Sequence, residues 1–234
     1  MQVTYINHSC FLVESDTGLF LFDYFDGDIP ELNCYKPLYC FSSHSHGDHF
    51  SEKLFEKTAH HPNVHYILSD DILKKCVPAE LYSRTDFVAP SQTVIIDKIS
   101  VKTLKSTDLG VAFIVDDDGK LIYHAGDLND WIWKGESSEY NTNMEASYIK
   151  EMEKLRGTDF LLAFIPLDPR QSQNDRQRGI RLFMKYANAE NIFPMHMWDK
   201  YETAEELAFQ LEPKDAALLR NASYRGESFI ISEE

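Results

Sequence analysis

The sequence has few basic residues, and this shortage limits what the protein can bind. Its 234 residues include 23 Lys and Arg against 38 Asp and Glu, so the formal net charge is −15 at pH 7. Proteins that bind nucleic acid need a basic track to neutralise phosphates. The densest basic stretch, Arg170 to Arg181, holds four basic residues with Asp175 among them. The charge balance argues against a nucleic-acid partner and favours a small-molecule substrate.

Long apolar runs and paired cysteines are also missing. No stretch approaches the roughly 20 apolar residues of a membrane span, and the first six residues carry no basic segment typical of a signal peptide. The four cysteines, Cys10, Cys34, Cys40 and Cys76, form no CxxC pair. We therefore expect a cytoplasmic protein with reduced cysteines and no membrane partner, although sequence alone leaves cysteine pairing open.

The sequence contains no internal linker, low-complexity tract or short-period repeat. Its 43% hydrophobic and 26% charged residues are ordinary for a globular protein. A chain of this length has enough residues for a substantial core. We predict a single domain over residues 1–234, and we leave open whether identical copies associate.

One loop concentrates residue types that bind metals. These residues are His44, His46, Asp48 and His49. They follow the apolar run Leu38–Phe41, which predicts a buried strand that ends at the loop. His44 and His46 point the same way in extended backbone, whereas Asp48 and His49 lie beyond a turn allowed by Gly47. One loop can therefore supply two ligands to each of two metals. Imidazole and carboxylate together favour zinc, then manganese or iron.

Two later apolar runs also end in ligand-type residues. Leu121–Tyr123 leads into His124-Ala125-Gly126-Asp127, and Asn191–Met195 leads into His196. Both repeat the pattern of the first loop, a buried strand whose carboxyl end delivers a ligand. Asp127 could bridge two metals, and His196 could complete one of them.

The order of these residues resembles the metallo-β-lactamase superfamily, with its HxHxDH loop, later Asp and final His. Together with the early Asn7-His8-Ser9, it resembles the branch of ascorbate-6-phosphate lactonase-like hydrolases. The resemblance extends from His8 to His196. It implies an α/β fold of the αββα sandwich type, with two mixed β-sheets and helices on the outer faces. It also implies that Asp23 occupies the early structural Asp position.

The sequence departs from this family at one ligand. The superfamily usually supplies a third His to the first site, but no His occurs between His65 and His124. Asp108 could replace it, or could be an ordinary turn residue before Gly110. We therefore predict one tightly bound metal and a weaker second one. The better-equipped site has the ligands Asp48, His49, Asp127 and His196, and the other has His44, His46 and a share of Asp127.

The remaining histidines are assigned less direct roles. We interpret His60, His61 and His65 as solvated surface residues. His124 either points at the site or orients Asp127 by a hydrogen bond, as metal ligands commonly require, and we favour the second. By resemblance His8 faces the site, and its alternative is a surface turn residue.

A long connection after the Asp127 segment, residues 128–143, is a candidate binding loop. Trp131, Trp133 and Trp198 could form the walls of a pocket or belong to the core. Arg170, which follows the predicted strand Phe160–Ile165, could bind a substrate carboxylate or phosphate through two hydrogen bonds. The alternative for Arg170 is a structural ion pair.

These observations predict a metal-dependent hydrolase of a small-molecule ester or lactone. In this hypothesis a metal-activated water attacks the substrate, and Asp48 orients the water or accepts its proton. Two alternatives remain open, a small-molecule phosphodiesterase of the same fold and a catalytically inactive metal-binding sensor or scaffold.

Local signals predict several element boundaries. Ser51 is a candidate N-cap for a helix through Lys57, and Thr203–Glu206 has the pattern of a capping box. The acidic run Asp116–Asp118 with Gly119 predicts a hairpin turn rather than a metal cluster. A helix is predicted over Met144–Leu155.

Overall fold

The computed structural model describes residues 1–232. The chain divides into two compact units. The first unit comprises residues 1–89 together with the chain from Ala222 onward, and the second unit comprises residues 90–221. The assignment of residues 1–234 to one domain stays a prediction.

Residues 1–232 contain thirteen strands and five α-helices. The strands are β1 Gln2–Asn7, β2 Cys10–Glu14, β3 Leu19–Phe22, β4 Leu38–Ser42, β5 Val64–Ser69, β6 Thr85–Val88, β7 Thr93–Ile96, β8 Ile99–Lys105, β9 Val111–Asp117, β10 Lys120–His124, β11 Asp159–Pro166, β12 Asn188–Met195 and β13 Ser228–Ile230. The α-helices are α1 Lys53–Thr58, α2 Ser138–Met152, α3 Arg178–Tyr186, α4 Glu202–Gln210 and α5 Pro213–Ala216. Short 3₁₀ turns cover Lys74–Cys76, Ala79–Arg84 and Glu153–Leu155.

The first unit is built on a mixed sheet in the order β13-β1-β2-β3-β4-β5-β6. Pairing is antiparallel from β13 to β3 and parallel from β3 to β6. Strand β4 is buried along its whole length, as expected for a strand with neighbours on both sides. Leu54 and Phe55 of α1 pack in the same apolar cluster as Cys40 of β4. This packing fixes the carboxyl end of β4, where the His-rich loop begins.

The second unit contains a mixed sheet in the order β12-β11-β10-β9-β8-β7. Strands β7 to β10 pair antiparallel, whereas β10, β11 and β12 are parallel. Because parallel strands end at the same edge of a sheet, the segments after β10, β11 and β12 emerge side by side. Asp127, Asp168 and His196 lie in these three segments. The predicted α/β fold with two mixed sheets and helices is confirmed.

The hairpin between β9 and β10 has the predicted turn. Asp118 and Gly119 have φ angles of +53° and +85°, and Asp117 pairs with Lys120 across them. Two central residues in the left-handed region form the type I′ turn that matches the twist of a hairpin. The acidic run therefore ends strand β9 at Asp117 and enters the hairpin turn at Asp118.

Both predicted caps are wrong. Helix α1 has Glu52 at its N-cap without a side-chain bond, and Ser51 Oγ accepts only from the backbone N of Lys53, at 3.3 Å. Helix α4 begins at Glu202, also without a side-chain cap. Its first turn continues a backbone turn in which the amide of Thr203 donates to the carbonyl of Lys200. With that donor satisfied, Thr203 is buried inside the helix.

The predicted connection 128–143 is shorter than expected, because α2 begins at Ser138. Ser137 Oγ accepts a hydrogen bond from the backbone N of Tyr140, which is an ordinary N-cap. Residues 138–143 are almost all polar, so they carry no apolar periodicity that could have marked them as helical. Within residues 1–232, no helix is both long enough and apolar enough to cross a bilayer.

Candidate metal centre

The loop after β4 folds back on itself in one tight turn. The backbone N atoms of His49 and Phe50 both donate to the carbonyl of His46, at 3.0 and 2.9 Å. This turn reverses the chain, so that Asp48 and His49 follow His44 and His46 closely in space. His44 and His49 are fully buried, whereas His46 is exposed.

Asp23 holds this loop in place by hydrogen bonds. Its carboxylate is fully buried and accepts from the backbone N and the Oγ of Ser43, each at 2.7 Å. It also lies 2.7 Å from His49 Nδ1. Because a carboxylate only accepts, His49 carries its proton on Nδ1, and Nε2 is the nitrogen that could bind a metal.

The same hydrogen-bond chain fixes His44. Ser43 Oγ donates its proton to Asp23, so at its 3.0 Å contact with His44 Nδ1 the hydroxyl can only accept. His44 therefore donates from Nδ1 and presents Nε2 for binding. One buried carboxylate sets the tautomers of two predicted ligands.

Side chains of the first unit form two small groups. Ligand atoms of His44 and His46 lie within 4.8 Å of each other, and so do those of His8, Asp48 and His49. His8 Nε2 is 3.5 Å from Asp48 Oδ2. His8 is 3% exposed and has a φ of +53°. It is thus a buried residue in the left-handed region, not a surface turn residue.

In the second unit the parallel strands bring Asp127 and His196 together. Both are buried, and His196 Nε2 lies 3.4 Å from Asp127 Oδ1. Two ligand atoms on one tetrahedral zinc lie about 3.4 Å apart, given bonds of about 2.1 Å. The spacing of this pair therefore fits two ligands of one metal.

Asp168, which is not among the predicted site residues, orients His196 by a hydrogen bond. Its buried carboxylate Oδ2 is 3.0 Å from His196 Nδ1. Burial by itself raises the pKa of Asp168, but hydrogen bonds from His196 and Arg170 outweigh burial and lower the pKa to about 2. The available signal was its position after a third buried parallel strand, β11.

Arg170 forms the ion pair that was the alternative to substrate binding. Its Nε lies 2.8 and 3.0 Å from the two oxygens of Asp168, and its backbone N is 2.7 Å from Oδ1. The guanidinium also lies over the rings of Trp198 and Trp133, at 4.9 and 5.8 Å from their centroids. Its positive charge is therefore largely matched by the carboxylate of Asp168.

Asp108 lies beside Asp127 and is the residue predicted to replace the third His. One oxygen of each residue lies within 4.8 Å of the other. Thr107 Oγ1 ties the two segments together, because it donates to the carbonyl of Asn129 at 2.6 Å and accepts from the amide of Asn129 at 3.0 Å. Asp108 is exposed at this position, so it is accessible for binding.

The other histidines occupy varied positions. His124 is buried, and its Nδ1 accepts from the backbone N of Gly126 at 3.2 Å, within the turn before Asp127. His65 pairs with the exposed Asp86, and His60 is exposed. The prediction for His61 is wrong. This side chain is 3% exposed, because the turn after α1 folds it inward.

A cavity of about 140 Å³ opens in the second unit. Its lining residues are Asp108, Asp127, Trp131, Trp133, Tyr140, Met144 and Arg170. The Trp131 and Trp133 rings are stacked, with centroids 5.9 Å apart and planes 5° apart. Trp198, at 44% exposure, does not line the cavity but contacts Arg170.

The donors described above fit a divalent cation. They are imidazole nitrogens and carboxylate oxygens, the ligands of zinc, manganese and iron. His49 and His196 each have Nδ1 held by a buried carboxylate, which is the usual support of a metal-binding His. The side chains therefore support divalent-metal binding without identifying the metal.

Comparison with known proteins assigns the family. Residues 2–141, more than half of the chain, match the family model described as the beta-lactamase superfamily domain. The chain therefore belongs to this superfamily, as the HxHxDH loop predicted. Among curated proteins, none matches the sequence.

Solved structures resemble the whole chain. Igni18, a metallo hydrolase from the archaeon Ignicoccus hospitalis, is 17% identical with a TM-score of 0.62, covering 99% of each chain. YhfI from Bacillus subtilis, a metallo-beta-lactamase fold protein, is 14% identical with a TM-score of 0.59, covering 98% of this chain and 99% of its own. An isothiocyanate hydrolase from Delia radicum gut bacteria is 14% identical with a TM-score of 0.60, covering 100% of both. At these identities the likeness shows a shared fold, not a shared substrate.

Proposed function

We propose that the protein is a metal-dependent hydrolase that cleaves an ester or lactone of a small molecule. One observation carries the proposal. His44, His49 and His196 are buried and have Nδ1 held by Ser43, Asp23 and Asp168 respectively. A carboxylate or hydroxyl behind the ring that fixes the proton on Nδ1 is the usual support of a metal-binding histidine, because it directs Nε2 toward the cation.

The proposed ligand sets are those that the family resemblance implies. One metal would be held by Asp48, His49, Asp127 and His196. The other would be held by His44, His46, Asp127 and Asp108, with Asp108 in place of the usual third His. A carboxylate on an exposed loop is a weaker anchor than a buried imidazole with a fixed tautomer. We therefore propose one tight site and one weaker site, with zinc as the first candidate metal and manganese or iron as alternatives.

Bound divalent metal supplies Lewis acidity and lowers the pKa of a water molecule toward neutrality. Asp48 is the residue proposed to take up the proton. Its side chain is 29% exposed and lies 3.5 Å from His8 Nε2. His8 can hydrogen-bond this carboxylate and keep it in one orientation while the proton moves. A scaffold would need no such carboxylate, which is why hydrolysis is preferred to a purely structural metal.

The substrate is proposed to be a small molecule rather than a nucleic acid. The net charge of −15 repels polyanions at long range. One observation keeps phosphodiesters as a second candidate. A neighbouring cavity of about 280 Å³ shares Asp108 and is lined by Lys105 and Lys150, which could hold a phosphate group.

A panel of substrates tests the proposal. The purified protein, loaded in turn with zinc, manganese and iron, would be assayed on small esters, lactones and phosphodiesters. We expect turnover of esters or lactones that a chelator removes and added metal restores. Turnover confined to phosphodiesters would favour the second candidate. Metal binding without turnover of any of the three classes would favour the sensor or scaffold.

A further inference from the structure

The cavity of the second unit is walled by aromatic rings next to two proposed metal ligands. Trp131 and Trp133 lie two residues apart, and their rings are stacked with planes 5° apart. Tyr140 and Met144, one turn apart on α2, complete the wall. Four of the seven lining side chains are thus aromatic rings or a thioether, groups that pack well against a flat ring.

The aromatic wall is rigidly tied to the ligands. Trp131 Nε1 donates to the backbone carbonyl of Asp127 at 2.9 Å. The Trp131 ring also meets the His196 ring edge to face, with centroids 5.6 Å apart. Trp131 is 4% exposed and the stacked Trp133 rests on it. A group bound against these rings would therefore lie beside Asp127 and His196.

The size of the cavity sets the size of the group. Its volume is about 140 Å³, and an engineered apolar cavity of about 150 Å³ is known to hold benzene. The volume matches one six-membered ring, and a second fused ring exceeds it.

The charges around the cavity favour an uncharged ring. Arg170 is paired with Asp168 through both carboxylate oxygens, so it offers little net charge to a ligand. It contributes mainly a flat cationic edge stacked over Trp133. Asp108 and Asp127 face the same space and would repel an anionic group that is not bound to metal.

We propose that this cavity is the subsite for a single, uncharged aromatic ring of the ester or lactone substrate. The inference rests on the proposed hydrolase function, which it narrows from small esters and lactones to those that carry one aryl ring near the bond that breaks. Hydrolysis itself adds water across the acyl–oxygen bond and yields an acid and an alcohol, so no further reactant is required.

Matched esters test the subsite by activity. Benzyl acetate and n-butyl acetate both release a primary alcohol, so their intrinsic reactivity is similar, whereas only the first carries a ring. Methyl phenylacetate and methyl hexanoate place the same difference on the acyl side. We expect kcat/KM to be about tenfold higher for the aryl member of at least one pair. The two-ring 1-naphthylmethyl acetate should lose this advantage.

Variants of the residues that line the cavity test whether the preference for aryl esters arises there. Trp133→Ala should remove the aryl preference by opening the wall, and Met144→Trp should remove it by filling the space. The second variant keeps the test valid if the first does not fold. Phe209→Ala is the matched control, because Phe209 is 90% exposed on α4 and does not line the cavity. It should retain the preference.

Direct binding separates this inference from the proposed function. Binding of benzyl alcohol, measured by saturation-transfer NMR on the zinc-loaded protein, should occur in the wild type and disappear in Met144→Trp. Binding without hydrolysis of any ester would support the subsite and contradict the hydrolase. Hydrolysis with no aryl preference and no benzyl alcohol binding would overturn the subsite and leave the hydrolase standing. Absence of both would contradict both.

Discussion

Asp23 Oδ2 lies 2.7 Å from His49 Nδ1, and both side chains are fully buried. The second unit repeats this relationship with Asp168 and His196, whose Oδ2 and Nδ1 atoms are 3.0 Å apart. Each unit therefore holds a predicted ligand by a buried carboxylate placed behind the ring. In both pairs the carboxylate fixes the tautomer and makes the imidazole a stronger donor to a cation.

Replacing the carboxylate behind His49 should weaken metal binding. Asp23→Asn keeps the shape of the side chain but removes the charge, so we expect metal affinity to fall about 10- to 100-fold. Competition with a chromophoric chelator would measure this. Asp86→Asn is the matched control, because Asp86 pairs with His65 at 2.7 Å near the surface and neither residue is a predicted ligand. Equal affinities for both variants and the wild type would contradict the role of Asp23.

Arg170 should act on His196 through Asp168. Because the guanidinium is paired with that carboxylate, Arg170→Ala should lower kcat about tenfold for neutral and anionic esters alike. Arg170→Lys should recover only part of the lost kcat, since an ammonium group cannot form a bidentate ion pair with a carboxylate. The two ester classes would be compared at fixed ionic strength. A rise in KM confined to anionic esters would instead support direct binding of a substrate anion.

Loss of a proposed ligand should abolish metal-dependent turnover. Alanine would replace one residue at a time, namely His44, His46, Asp48, His49, Asp127 or His196. Asp48→Ala is the sharpest case, because it removes a ligand and the proton acceptor together. His60→Ala and His65→Ala serve as controls and should keep wild-type rates. Wild-type turnover by Asp48→Ala would disprove the proposed mechanism.

Gly179 should be required for packing rather than for helix formation. A Cβ at this position of α3 would lie 1.7 Å from Asn129 Oδ1 and 3.4 Å from the amide of Asp130. Gly179→Ala should therefore lower the free energy of unfolding by about 1–3 kcal/mol, despite the better helix propensity of Ala. Gly135→Ala is the control, since among residues 1–232 nothing lies within 4 Å of a Cβ at this position. Urea unfolding would compare them, and equal stability would contradict the close packing.

The sequence predicted the candidate metal ligands but not the residues that orient them by hydrogen bonds. The HxHxDH loop, Asp127 and His196 stand out because several ligand types follow buried strands. Asp168 follows a strand in the same way, yet an Asp before Pro169 reads as an ordinary turn. The hydrogen bonds from Ser43 to Asp23 depend on two chain segments that meet only in the folded protein. Spacing along the sequence could not reveal them.

Predictions made from local sequence were wrong where tertiary contacts determined the structure. Ser51 and Thr203 are good capping residues, but the amides of Leu54 and Thr203 already donate to the backbone carbonyls of Ser51 and Lys200. The start of α2 lacked an apolar stripe, so only the cap at Ser137 could have marked it. His61 looked like a polar loop residue, but the chain folds it inward.

The chain should hold one tightly bound divalent metal at Asp48, His49, Asp127 and His196, and a weaker one at the site that includes Asp108. Elemental analysis of the purified protein after prolonged dialysis against a chelator tests it most directly. One equivalent of zinc, manganese or iron per chain should remain, and Asp108→Ala should leave that equivalent in place. Two equivalents that survive dialysis, or none, would contradict the account.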